Sequence, residues 1–248
     1  MKLSLRILSM LAAAIFLGAG TAHANVVIYG TRVVYPAQDR DITVRLQNVG
    51  DRPSLIQAWV DHGNSHSQPD TAKAPFLITP PLFRIDAHKA QDLRIIFTGA
   101  KLPADRESLF WLNVLEIPPK PSARELQGNK NYLQLAIRSR LKLFYRPAGL
   151  TGDPQKAPGK LTWRARRDRR GWTLEVDNPT PYHVTLARVQ LQVDGKTYAA
   201  ATGMVDPDAS LVLKVKGLAK APAQGTRVSY QIINDYGALA AFKGTVAP

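Results

Sequence analysis

No cysteine occurs among the 248 residues, so neither disulfides nor thiol catalysis are available and stability has to come from core packing. Acidic side chains are scarce, with 19 Asp and Glu against 33 Lys and Arg, for a formal charge of +14. Such a balance admits nucleic-acid, acidic-surface or carboxylate partners. No nucleic-acid motif accompanies it, so a well-solvated basic surface is the simpler account and no nucleic-acid partner is expected. There is no G-x-S-x-G, P-loop or H-E-x-x-H, and the five histidines are scattered, which argues against an enzyme. His62 and His66 are four apart beside Asp61, but that spacing aligns two metal ligands only on a helix, and Gly63, Asn64 and Pro69 argue against one. Neither a metal nor a cofactor is expected.

Long apolar runs are missing too. The one stretch of note runs from Ile7 to Leu17, after Lys2 and Arg6 and before Ala22-His-Ala24. It falls short of the roughly 20 residues a membrane span needs. A basic start, an apolar centre and an A-x-A site read as a secretory signal peptide over 1–24, cut after Ala24. The expectation is an exported, soluble protein whose remaining 224 residues (25–248) suffice for two modest β domains.

What is present is alternation. In Tyr132-Leu-Gln-Leu-Ala-Ile-Arg-Ser-Arg-Leu-Lys-Leu-Phe-Tyr145, Leu133, Leu135, Ile137, Leu141 and Leu143 share one parity, while Arg138, Arg140 and Lys142 lie on the other. A period of two predicts a strand. At about 3.3 Å per residue it would span about 45 Å, the full length of a small β domain, ending at Arg146-Pro147. As an interior strand its leucines would fill its own core. As an edge strand, Leu133, Leu135 and Ile137 would invite another chain to pair.

Short strands fill the rest. Asn25 to Tyr35 is apolar on both parities, which suits a strand exchanged between two sheets, and Arg32 in its middle needs solvent or an anionic partner. Strands are also expected over Asp41 to Gln47 and Ser54 to Asp61, with Trp59 as a core or inter-sheet plug. Phe76 to Pro81, Phe83 to Ile85, Asp92 to Phe97 and Glu107 to Ile117 continue the series, with a corner at Pro80-Pro81 that admits a cis peptide. Lys120 to Asn131 reads as a polar loop. The Gly- and Pro-rich stretch Ala148 to Lys160 marks a boundary, giving domains over 25–147 and 148–248. Seven further strands follow: Leu161 to Ala165, Trp172 to Val176, His183 to Val193, Lys196 to Ala200, Ser210 to Lys216, Arg227 to Ile233 and Leu239 to Val246. The architecture expected is all-β, two immunoglobulin-like sandwiches. The basic cluster Arg164, Arg166, Arg167, Arg169 and Arg170 reads as a solvated strand and turn, with an anionic docking role as the alternative.

Several words of the sequence are more specific. Glu107-Ser-Leu-Phe-Trp-Leu-Asn-Val-Leu-Glu-Ile-Pro-Pro119 followed by Leu133 to Pro147 closely resembles the signature of the periplasmic chaperones of the chaperone-usher pilus pathway. Gly30-Thr-Arg-Val-Val-Tyr-Pro36, Pro80-Pro-Leu-Phe-Arg84, Leu93-Arg-Ile95, Asp177-Asn-Pro-Thr-Pro-Tyr182 and Ile233-Asn-Asp-Tyr-Gly237 support it. The absence of cysteine fits the subgroup with a short loop before the organising strand, the short F1-G1 loop subgroup.

The resemblance implies two sandwiches in an L or boomerang with a cleft between them. It implies a periplasmic protein that lends Leu133, Leu135 and Ile137 to the groove of a pilus subunit lacking its last strand. It assigns Arg32 and Lys142 to anchoring the subunit's C-terminal carboxylate, and Glu107, Arg146 and Asp235 to a structural interdomain salt bridge. The implied partners are fimbrial subunits and an outer-membrane usher, and the exposed edge also allows a self-capping homodimer. The alternative is a structural pilus subunit or adhesin. Such a chain usually has one incomplete domain behind an alternating N-terminal extension. A sugar-binding module would need an aromatic platform that the sequence does not offer.

Overall fold

The computed structural model describes residues 25–121, 133–169 and 171–247. The expected leader, most of the loop at 120–131, Tyr132 and Arg170 lie outside them.

The first domain is a sandwich of two sheets. One carries β1 (Val26–Ile28), β3 (Ile42–Asn48), β7 (Ala90–Phe97) and β5 (Phe76–Thr79), and the other carries β2 (Arg32–Pro36), β9 (Ile137–Arg146), β8 (Ser108–Ile117), β4 (Ser54–Asp61) and β6 (Leu82–Ile85), each in that spatial order. The apolar parities of these strands meet between the sheets, where Leu46, Ile56, Leu93, Ile95, Leu112 and Leu143 are fully enclosed. The chain from 25 to 36 does change sheets. Gly30, at φ +110°, breaks it into β1 and β2, a backbone angle that favours glycine.

Three expectations need correction here, and one strand was not expected. Among the described residues the organising strand is paired from Ile137 to Arg146, and 133–136 lie outside the ladder. The ladder with β8 ends at Glu116 opposite Ile137, and one residue further, after Ile117, β8 gives way to Pro118 and Pro119, which have no N–H to extend it. Gln134 Nε2 instead donates to the Pro118 carbonyl at 2.6 Å. Trp59 is buried but not between the sheets: Ile56, Ala58 and Val60 face the core, and Trp59, on the opposite parity, lies on the outer face under Arg138, 4.7 Å from its ring centre. The cis peptide is Thr79–Pro80 rather than Pro80–Pro81. The strand β14 (Gly203–Val205) went unread, three residues being too few to show a period.

The second domain contains β10 (Thr162–Asp168), β11 (Gly171–Asn178), β12 (Val184–Val193), β13 (Lys196–Ala200), β14, β15 (Ala209–Lys214), β16 (Arg227–Ile233) and β17 (Leu239–Ala247). Its two layers are stitched at both edges. β10 pairs in parallel with β17 through Trp163↔Val246 and Arg164↔Ala247, and a bridge joins Ala200 to Val215. Trp163 fills the centre of this barrel-like sandwich, and the small Gly244 makes room for its indole.

Candidate functional site

Three groups of residues lie on or beside β9.

The first is its free edge. β2 pairs with β9 in parallel, but only from Arg32↔Lys142 to Pro36↔Arg146. Upstream of Lys142 one side of β9 carries β8 and the other has no strand among the described residues. On the core parity, Leu141 and Leu143 are buried in their own domain, whereas Ile137, Leu135 and Leu133 are 42%, 64% and 78% exposed. Three aliphatic side chains thus stand in series along an unpaired edge.

The second is the basic cleft at the end of that edge. Arg32 and Lys142 are partners across the β2–β9 pair. Arg32 Nη1 donates to the Ile233 carbonyl at 2.7 Å, and Lys142 Nζ to Thr185 Oγ1 at 3.2 Å. Both acceptors belong to the second domain and both are uncharged. The Nε of Arg32 is buried with no partner. Burial and the neighbouring guanidinium of Arg32 push the Lys142 ammonium down to about 8, against some support from Asp206. Desolvation also lowers Arg32, partly offset by Asp235 and Glu107. Two half-dry cations without a carboxylate contact among the described residues form a ready anion site.

The third is the hinge. Arg146, the last residue of β9, donates from Nε to Glu107 Oε1 at 2.7 Å and from Nη1 to Asp235 at 2.9 Å. Glu107 lies just before β8 with its side chain 2% exposed. Burial would raise its carboxyl, but the bonds from His183 and the charge of Arg146 outweigh that and hold it below its ordinary value.

Two motifs of the second domain build this hinge. In Ile233-Asn-Asp-Tyr-Gly237, Asn234 Oδ1 accepts from the N–H groups of Tyr236 and Ala238. The resulting turn sets Asp235 on Arg146 and the Ile233 carbonyl on Arg32. Gly237, at φ +82°, sits so close to Thr31 that a Cβ would overlap its Oγ1. In Asp177 to Tyr182, buried Asn178 donates to the carbonyls of Tyr182 and Asp206 at 2.7 and 3.0 Å, a side-chain-organised turn. That turn offers the Pro181 carbonyl to the Glu107 N–H at 2.9 Å. His183, expected from the sequence only as the start of a strand, donates its N–H to Glu107 Oε2 at 2.8 Å and places Nδ1 3.1 Å from the same oxygen. Only its position next to the Pro-Thr-Pro-Tyr word could have flagged it.

The other singled-out residues lie elsewhere. His62 packs on Phe110, with ring centres 4.9 Å apart, and among the described residues no three His, Cys, Asp or Glu side chains gather as metal ligands. In the basic cluster, Arg164 and Arg166 pair with Glu175, and Arg164 also with Asp177, on β11.

Fold and geometry together define a class: a two-sandwich protein that presents an unpaired strand edge ending in a basic interdomain cleft. Residues 25–151 match the family described as "Pili and flagellar-assembly chaperone, PapD N-terminal domain", and residues 156–242 match "Pili assembly chaperone PapD, C-terminal domain". The chain belongs to the PapD family of pili assembly chaperones. It is 44% identical over 215 residues to the probable fimbrial chaperone YadV of Escherichia coli K12, covering 86% of this chain and 87% of that one. It is 44% identical over 233 residues to the chaperone protein FimB/FhaD of Bordetella pertussis, covering 92% and 91%. Among solved structures, that of the Salmonella enterica SafA pilin in complex with the SafB chaperone matches with a TM-score of 0.75 at 31% identity, over 92% of this chain and 99% of the other. The protein is therefore a chaperone of fimbrial assembly, and the reading as a structural subunit or adhesin is not favoured.

Proposed function

We propose that this chaperone captures pilus subunits in the periplasm by lending them the edge of β9 and hands them to an outer-membrane usher. Strand addition is an established mode of recognition, of which chaperone–pilin complementation is one instance. Leu133, Leu135 and Ile137 enter the groove of a subunit that lacks its last strand. Three buried aliphatic chains at roughly 1.5–3 kcal/mol each contribute about 5–9 kcal/mol before the costs of association. Arg32 and Lys142 grip the subunit's terminal carboxylate, and Glu107, Arg146 and Asp235 hold the two domains at a fixed angle. The work is binding, with no catalytic step. Residues 1–24 serve as the export signal, and the domains divide as 25–147 and 148–248.

The observation that carries this reading is the continuity of the free edge, with its exposed aliphatics, into the cationic cleft where β2 takes over the pairing. Co-expression with exported fimbrial subunits tests it. Wild-type protein should co-purify with a subunit, and Leu135→Glu should lose it while remaining soluble. A soluble wild-type chain that retains none of them, or a Leu135→Glu chain that retains as much as wild type, refutes the proposal.

A further inference from the structure

The even-numbered face of β9 carries more than solvated charge. Arg138 and Arg140 lie flat over Trp59 and Trp111, each 4.7 Å from the ring centre. Their side chains are only 24% and 21% exposed. Beneath them, Asn113 and Asp61 are buried, at 0% and 2%. Asn113 Oδ1 accepts from Arg138 at 2.7 and 3.0 Å and from Arg140 at 3.1 Å. Its Nδ2 donates to Asp61 at 2.7 Å. Asp61 accepts from Arg140 at 3.0 and 3.2 Å, from Ser67 Oγ at 2.8 Å and from the Gly63 N–H at 2.5 Å. Arg138 also donates to the Ser65 carbonyl at 2.9 Å, so the loop after β4 is tied to the same point. Burial opposes ionisation of Asp61, yet the bonds from Asn113, Ser67 and Gly63 and the charge of Arg140 hold its carboxyl below the ordinary range.

Position gives this network its meaning. Arg138 is the neighbour of Ile137, the first residue of β9, where its ladder with β8 begins just after the unpaired segment 133–136. Strand side chains alternate, so locking Arg138 and Arg140 on one face fixes Ile137, and with it Leu135 and Leu133, on the other. A slip of one residue would turn all three away.

We infer that Asp61, acting through Asn113, is a positioning residue for subunit capture: it clamps Arg138 and Arg140 so that the lent segment leaves the sheet in one register. The inference rests on the strand-lending function above and adds to it a residue that need not touch the guest.

The test uses the full chain, its lack of cysteine and the subunit that co-purifies with wild type. In a Leu135→Cys background, disulfide formation is mapped against single cysteines placed along the subunit's groove. The unaltered clamp should give one dominant partner position. Asp61→Asn should spread the cross-links over neighbouring positions and lower subunit recovery about tenfold, equivalent to about 1.4 kcal/mol. Arg138→Lys keeps the charge but loses the fork and should do the same, and it decides the matter if Asp61→Asn fails to fold. An unchanged cross-link pattern in the folded variants overturns the clamp while leaving strand lending intact. Absence of subunit from the wild-type preparation would instead count against strand lending itself.

Discussion

Arg32 and Lys142 sit side by side across a parallel strand pair, yet each hydrogen-bonds to an uncharged oxygen of the other domain, the Ile233 carbonyl and the Thr185 hydroxyl. The cleft therefore holds two concentrated positive charges with no carboxylate in contact among the described residues, in a place where the domains meet. Repulsion between them is relieved when an anion arrives.

Removing either cation should leave a folded protein, because each is a half-buried charge whose desolvation is only partly compensated. Arg32→Ala and Lys142→Ala are expected to keep the wild-type circular dichroism spectrum and to lose subunit in co-purification. Retention at the wild-type level by either variant would remove the cleft from the mechanism.

The titration of Lys142 at about 8 carries a pH signature. Below that value the ammonium is charged, as the proposed grip on a carboxylate requires. Above it the charged fraction falls about tenfold per pH unit, so subunit affinity should decline between pH 8 and 10. The free protein should behave oppositely. A lysine with a depressed folded value destabilises the fold at neutral pH, and that cost fades as pH rises from about 8 towards the unfolded 10.5. Lys142→Arg should flatten both profiles, as read by binding and by denaturant unfolding across the range.

Breaking the hinge should cost stability. Arg146→Ala strands the Glu107 carboxylate, whose side chain is 2% exposed, and a lost partner of a buried ion pair typically costs about 3 kcal/mol. Asp235→Ala should cost less, since Asp235 is 29% exposed. Urea unfolding of both variants checks the order, and equal losses would contradict it.

Gly237→Ala should perturb the approach of the domains rather than either core, because its Cβ meets Thr31 from the first domain. With the strained φ included, a loss of about 1–3 kcal/mol is expected. Thr31→Ala should restore part of it by removing the overlapping hydroxyl. A double-mutant cycle with no coupling would show that the contact is slack.

The strand series, the exchange of the first strand between sheets and the two-domain division of strands could be read directly, because alternating aliphatics and Gly/Pro turns are local signals. Arg32 stood out as a charge within an apolar strand, but its pairing with Lys142, and that of Arg146 with Asp235, could be expected only through family words, since these residues are 110 (142 − 32) and 89 (235 − 146) positions apart. Where alternation misled, a non-local event was responsible. The organising strand shortens where the two prolines that follow β8 leave its ladder without donors, and Trp59 is buried on the outer face because Arg138 from β9 covers it. His183, Asp61 and Asn113 carry no periodic signal at all, and their roles come from partners far away in the chain.

The parallel junction of β2 with β9 also makes the edge a ruler. At about 3.3 Å per residue, Ile137, Leu135 and Leu133 stand roughly 17, 23 and 30 Å back from Lys142. A guest whose tail is pinned there must present its vacancies at those intervals, so one extra residue at its carboxyl end would put every vacancy out of phase, while two would only move each to the next tooth.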